Sequence, residues 1–295
     1  MGLNLDSRQR AMLEEMHVKV WLPSEPAEVV APTVREVPAE IAPVSASVAP
    51  PPVPRERAAA TVRTPSKADT GTMVLQPRTT GVSAMDWATL QQTVAECRAC
   101  ALCNGRKHTV FGMGGLTAPS PDQAPAADWL IVGEAPGEQE DLSGLPFVGP
   151  AGQLLDNMLK AMQLDRRREV ASGDGRAAQG SYIANVLKCR PPSNRNPEAD
   201  EVAQCMPFLQ RQIELLQPKV ILAMGRFAAQ ALLVDTVPDV LNIPLGKLRG
   251  RVHSYRGIPV VVTYHPAYLL RALGDKAKAW ADLCLAMEKF STLSP

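Results

Sequence analysis

Four short apolar runs, at 129–132, 182–187, 220–224 and 259–264, decide most of what this chain can fold into. Each is continuous rather than alternating, as a strand covered on both faces requires. Helical patterns separate and follow them at 151–162, 197–216, 226–233 and 276–290. Strands that pair in parallel need a long crossover, and a helix commonly supplies it. The pattern predicts an α/β fold: a three-layer α/β/α sandwich around a central four-stranded parallel sheet, doubly wound. Ligands of such sheets sit beyond the carboxyl ends of the strands. Chemistry is therefore expected just after Val132, Leu187, Met224 and Tyr264.

Residues before this region have another character. From 23 to about 84 the chain is rich in Pro, Ala, Val, Thr and Glu, with no aromatic residue and no sustained period. Such a composition buries too little apolar surface to offset its ordering entropy, so a disordered linker is expected over 23–85. Ahead of it, Met12, Leu13, Met16 and Val20 fall at helical spacing. Residues 1–22 read either as a short docking helix on a tether or as a helix without a partner, and 86–295 as one compact domain. Charge excludes a simple polycation: 31 Lys and Arg face 30 Asp and Glu. The tail, with nine of each sign, hides no basic core. No run of about 18 apolar residues exists, and MGLNLDSRQR lacks the basic and apolar regions of a secretory signal. The expectation is a soluble, cytoplasmic protein with no membrane partner.

The first run leads into Gly133-Glu134-Ala135-Pro136-Gly137-Glu138-Gln139-Glu140-Asp141, then into Gly144-Leu145-Pro146-Phe147-Val148-Gly149-Pro150. Glycine-bearing turns let a backbone approach a flat or phosphorylated ligand, and the helix start near Pro150 offers free N–H groups. This is neither a dinucleotide fingerprint nor a Walker loop, since no GK[ST] follows. Phe147 suits either a core position or one wall of a flat pocket. The second run contains Asn185, whose amide offers a donor and an acceptor to a ligand edge. Lys188, Arg190 and Arg195 beyond it suit a phosphate-contacting loop or a solvated surface. After the fourth run, His265 precedes Pro266 and is the strongest catalytic candidate among the four histidines.

Cysteine spacing is the strongest inorganic signal. Cys97, Cys100 and Cys103 are separated by two residues each, and Cys189 and Cys205 flank the basic loop. Zinc and a 4Fe-4S cluster both accept four thiolates, and no His stands beside these cysteines at zinc spacing, which favours the cluster. Cys284, among Leu283, Leu285 and Met287, reads as a core residue.

Together GEAPGEQED, GLPFVGPAGQLLD, YIANVLKCRPPSNRNP and HPAYLLR, in this order and with this cysteine set, resemble the family 4 iron-sulfur uracil-DNA glycosylases over roughly 87–290. The resemblance implies the uracil-DNA glycosylase fold and hydrolysis of the N-glycosidic bond of uracil in single- or double-stranded DNA. It implies a 4Fe-4S cluster on Cys97, Cys100, Cys189 and Cys205, with Cys103 a spare thiol or an alternative ligand. Phe147 would stack on the flipped base, Asn185 would read its edge, and His265 would face the carbonyl that gains negative charge. Gly133, Glu134, Ala135 and Glu140 would complete the pocket, with Glu134 counted among the catalytic groups. The wider superfamily often carries Asp or Asn where this chain has Ala135, so water activation is not assigned there.

Arg190, Arg195, Lys247, Arg249, Arg251, Arg256 and Arg271 are the expected phosphate contacts. Leu269, Leu270 and Arg271 are candidates to fill the gap left by the flipped base. A monomer is expected, with a repair or replication protein as the partner of the tail. The competing class is a binding adaptor that recognises uracil-DNA or single strands without turnover.

Overall fold

The computed structural model describes residues 80–115, 124, 127–166 and 180–293. The expected docking helix at 1–22 and most of the 23–85 linker lie outside these residues. In chain order the elements are helix α1 (Trp87–Glu96), strands β1 (Met113–Gly114) and β2 (Trp129–Gly133), helices α2 (Glu138–Ser143) and α3 (Pro150–Ala161), and strand β3 (Ser181–Asn185). Then come α4 (Ala199–Leu216), β4 (Val220–Met224), α5 (Arg226–Leu233), α6 (Leu245–Leu248), β5 (Val252–Tyr255), β6 (Ile258–Thr263), α7 (Pro266–Leu269) and α8 (Lys276–Ser291).

The sheet runs β1-β3-β2-β4-β6-β5. Its four inner strands are parallel, as the apolar runs require, and β1 and β5 add antiparallel edges. The sheet is therefore six-stranded and mixed, where four parallel strands were expected. Both additions escape an apolar-run search for physical reasons. β1 has two residues, and β5 (VHSY) is polar and exposed along most of its length.

Side-chain alternation explains the three layers. Leu130, Val132, Ala184, Ile221, Ala223, Val260 and Val262 pack with α1, α4 and α5 on one face. Trp129, Ile131, Ile183, Leu222, Met224 and Val261 pack with α3 and α8 on the other. Packing begins before residue 86: Val82 is buried in the first layer, and the Met85 carbonyl accepts a hydrogen bond from Arg211 Nε on α4 at 2.7 Å.

Register fixes where ligands can approach. Gly133 pairs with Asn185, and Met224 with Thr263, so all four parallel strands end along one edge. The segment 186–187 continues as a buried turn rather than as strand, which brings Lys188 and Cys189 around toward α4.

Candidate active site

A cavity of about 670 Å³ opens along that edge. Glu134, Ala135, Glu140, Phe147, Asn185 and His265 all line it, together with Arg195 and Arg271. Gly133 stands directly behind: a Cβ there would meet the Phe147 ring at 2.6 Å and would lie closer still to Asn185 Oδ1. Glycine is thus required by the approach of two site residues to one backbone point.

Phe147 adopts φ 54°, a left-handed conformation that costs a non-glycine residue about 1–2 kcal/mol. Surrounding contacts hold it there. Glu140 Oε1 accepts from Val148 N at 2.9 Å and Gly149 N at 3.3 Å, while its Oε2 accepts from Gly137 N at 3.0 Å. Gly152, in the first turn of α3, lies against the Phe147 carbonyl where a Cβ has no room. The Phe147 ring stacks near the His265 imidazole, with centroids 5.4 Å apart and planes at 30°.

Two residues of the cavity wall each carry a buried polar atom without a hydrogen-bond partner: Asn185 Oδ1 and His265 Nε2. His265 as a residue is partly exposed, but its Nε2 is beyond the reach of solvent. Its Nδ1 accepts from Ala267 N at 3.2 Å, which places the proton of the neutral ring on Nε2. Burial pulls the imidazole pKa down to about 4, and Arg271 adds to the pull. His265 is therefore a neutral donor at pH 7. Burial raises the Glu134 carboxyl, with Arg226 opposing the shift.

Residues 121–284 match the uracil DNA glycosylase superfamily. The chain belongs to the uracil DNA glycosylase superfamily. It is 38% identical over 185 residues to a type-4 uracil-DNA glycosylase of Sulfurisphaera tokodaii, covering 61% of this chain and 74% of the relative. With the type-4 enzyme of Pyrobaculum aerophilum the identity is 37% over 204 residues, or 68% and 93% of the two chains. A type-5 uracil-DNA glycosylase of Thermus thermophilus matches at 32% over 160 residues, covering 50% and 73%. The type-4 relatives align at higher identity and over more of the chain, in agreement with the branch that the motifs indicate.

The superfamily frame separates the basic residues by placement. Arg271 and Arg195 border the cavity, although Arg195 also pairs with Glu201 at 2.6 Å. Arg190 bonds Asn194 at 2.8 Å and lies 3.5 Å from Glu138. Lys247 is exposed, and Arg251 donates to its carbonyl. Arg249 turns inward instead: it pairs with buried Asp282 at 2.7 Å and lies over the Tyr264 ring at 4.1 Å. Leu270 is 41% exposed whereas Leu269 is fully buried, which leaves Leu270 and Arg271 as the available wedge candidates.

Arg226, Phe227, Tyr264 and Tyr268 also line the cavity and were not singled out from sequence. The strand-end rule pointed to them. Gly225 and Arg226 directly follow β4, and Tyr264 and Tyr268 bracket His265. Tyr268 lies within HPAYLLR, but no motif made the other three conspicuous.

A second, small cavity lies behind the 185–189 turn, lined by Cys97, Cys100, Cys103, Cys189 and Cys205 with Arg106 and Lys188. Arg106 Nη1 donates to Cys189 Sγ at 3.2 Å. Lys188 Nζ donates to Asn185 O at 2.9 Å and to Gln212 Oε1 at 2.7 Å. Burial pushes the Cys189 thiol up to about 11, with Arg106 pulling the other way, and Cys205 up to about 12. Five thiols, the Arg106 guanidinium and the Lys188 amine, whose pKa burial pulls down to about 7, line the cavity without a carboxylate. That donor set fits an anionic thiolate-ligated centre. Among the described residues no group of three or more His, Cys, Asp or Glu is drawn tightly enough for a single ion.

Among the described residues no helix is long and apolar enough to cross a membrane.

Proposed function

We propose that this chain hydrolyses the N-glycosidic bond of uracil in DNA, releasing free uracil and leaving an abasic site. One observation carries the reading: Asn185 and His265, each with a buried and unpartnered polar atom (Oδ1 and Nε2), line one cavity walled by Phe147. Uracil presents a flat face and an edge on which a ring N–H lies between two carbonyls. Duplex uracil is stacked, so the nucleotide must first be extruded. Phe147 then stacks on the base, Asn185 Oδ1 accepts from N3–H, and the Asn185 amide donates to O4. Cytosine, with an amino group at that position, is opposed.

The bond between C1′ and N1 breaks with its electron pair moving onto the base and spreading to O2. His265 Nε2–H donates to that developing oxyanion. Donors of this kind are worth roughly 10²–10³ in rate. Ala135 has no polar side chain to orient a water, so a weakly held water captures an oxocarbenium-like sugar, its oxygen bonding to C1′ and its released proton passing through solvent to N1 of the departing uracil anion. Burial raises the Glu134 carboxyl and Arg226 opposes that shift; in its charged form Glu134 stabilises the cation.

Cys97, Cys100, Cys189 and Cys205 would hold a 4Fe-4S cluster, with Cys103 in reserve. Bound there, the cluster supplies a structural tie between the segment after α1, the turn after β3, and α4. Arg190, Arg195, Lys247, Arg251 and Arg271 contact DNA phosphates, and Leu270 or Arg271 fills the vacated stack. The residues ahead of the packed segment that begins at Val82 tether a repair or replication partner, and the enzyme works as a cytoplasmic monomer.

The test is uracil release from uracil-containing oligonucleotides by iron-loaded protein. Free uracil and an alkali-labile abasic site without direct strand cleavage are expected. Tight binding of uracil-DNA without release would instead identify an adaptor.

A further inference from the structure

We infer that Arg166 is a positioning residue that sets the conformation of Phe147 from behind the pocket, without touching the base. The inference rests on the reading of Phe147 as the wall that stacks on uracil. Arg166 does not line the cavity, and only 5% of it is exposed. Its guanidinium donates from Nη1 to Pro146 O at 2.8 Å, from Nη2 to Gly152 O at 3.3 Å, and from Nε to Asp156 Oδ1 at 2.6 Å.

These acceptors have a shared consequence. The peptide plane between Pro146 and Phe147 sets φ of Phe147, and the plane between Phe147 and Val148 sets its ψ. Arg166 holds the first plane through the Pro146 carbonyl. Glu140 holds the second through Val148 N, at 2.9 Å. The third contact, to Gly152 O, ties the same fork to the helix turn that crowds the Phe147 carbonyl. A left-handed non-glycine conformation persists only where its surroundings over-determine it. Here two side chains, Arg166 and Glu140, hold the two peptide planes that set the two torsions.

Burying a guanidinium is unfavourable unless its donors are satisfied, and Asp156 is half exposed, so the pair is a weak source of stability. What the planar fork provides is simultaneous hold on two carbonyls and a carboxylate. A lysine, with one compact ammonium, cannot reproduce that.

A double-mutant cycle tests this with free uracil as the probe, measured as a competitive inhibitor of the iron-loaded enzyme. Phe147→Ala is expected to weaken uracil inhibition about tenfold, the scale of one lost stacking contact. Arg166→Met should weaken it severalfold while iron content stays unchanged. In the Phe147→Ala background Arg166→Met should add nothing, because its effect passes through the missing ring. Arg166→Lys should recover part of the loss, and Asp156→Asn should show a smaller one. If Arg166→Met does not fold, Arg166→Lys carries the same cycle. Wild-type uracil inhibition in the Arg166 variants, or an effect that adds in full to that of Phe147→Ala, would overturn the inference. Unchanged inhibition in Phe147→Ala alone would instead refute the stacking role on which the inference depends.

Discussion

The cavities on either side of segment 185–189 are finished in different ways. On the base-binding side the chain supplies its own bracing: Glu140 takes three loop amides, Gly133 and Gly152 leave room for Phe147, and two polar atoms stay free. On the cysteine side, deeply buried thiols face Arg106 and Lys188 with no carboxylate between them. Burial first, and then the neighbouring thiols, push Cys189 and Cys205 toward the neutral form, with Arg106 and Lys188 opposing. A pocket that captures and releases a neutral base repeatedly is best preorganised before its ligand arrives. A site for a permanent anionic centre can leave its charge balance to that centre. One pocket is therefore completed by the fold, and the other is charge-matched to its proposed cluster.

The largest expected effect breaks the second pocket. Cys205→Ser removes a buried proposed ligand and should abolish iron binding, since ligation free energy is folding free energy in such sites. A loss of at least about 4 kcal/mol, roughly 10 °C in Tm, is expected. Iron analysis, visible absorption and thermal melting measure it. Cys103→Ser should leave all three unchanged. Full iron retention by Cys205→Ser would show that Cys103 substitutes as a ligand.

What was legible in the sequence divides along the same line. The parallel core was readable because strands covered on both faces are continuous apolar runs, and Gly133, Asn185 and His265 were found because that topology dictates strand ends. The cysteines announced themselves by spacing. What stayed hidden depends on who meets whom. Arg249 looks like its exposed neighbour Lys247 in sequence, yet Asp282, 33 residues on, draws it inward. Arg166 follows an unremarkable helix end, and only its contacts with Pro146 and Gly152 give it meaning. Glu140 reads as a pocket acid, but its carboxylate is occupied with backbone amides.

A smaller effect should disturb the base-binding pocket while sparing the cysteines. Gly133→Ala places a Cβ against the Phe147 ring and Asn185 Oδ1. Both site residues must shift, at a stability cost of about 1–3 kcal/mol for an overpacked position. Because misplacement of about 1 Å near the chemistry costs roughly 10²-fold, kcat/KM on uracil-DNA should fall by about that factor. Iron content should not change. Wild-type activity in Gly133→Ala would mean that the backbone there yields freely, and that the pocket is not preorganised.

The smallest effect is read from pH. In the folded chain the imidazole of His265 has a pKa of about 4, against about 6.5 when unfolded, because burial and then Arg271 disfavour its protonation, with Glu140 partly opposing. The depressed value fixes the sign. Between pH 6.5 and 4 the unfolded chain binds the extra proton, so the contribution of His265 to stability is full above about 6.5 and is lost as pH falls through 4. Protonation of Nδ1 would break its bond from Ala267 N, which orients the ring. Single-turnover uracil release should therefore stay level, as far as His265 governs it, from pH 8 to 5 and decline only toward 4. His265→Gln keeps a donor but cannot titrate, so it should lower the plateau and erase that acid limb. Arg271→Ala should move the limb to higher pH by removing a neighbouring charge. An acid limb near 6.5 in the unaltered enzyme would mean that water reaches Nε2, and the distinction drawn between the two cavities would fail.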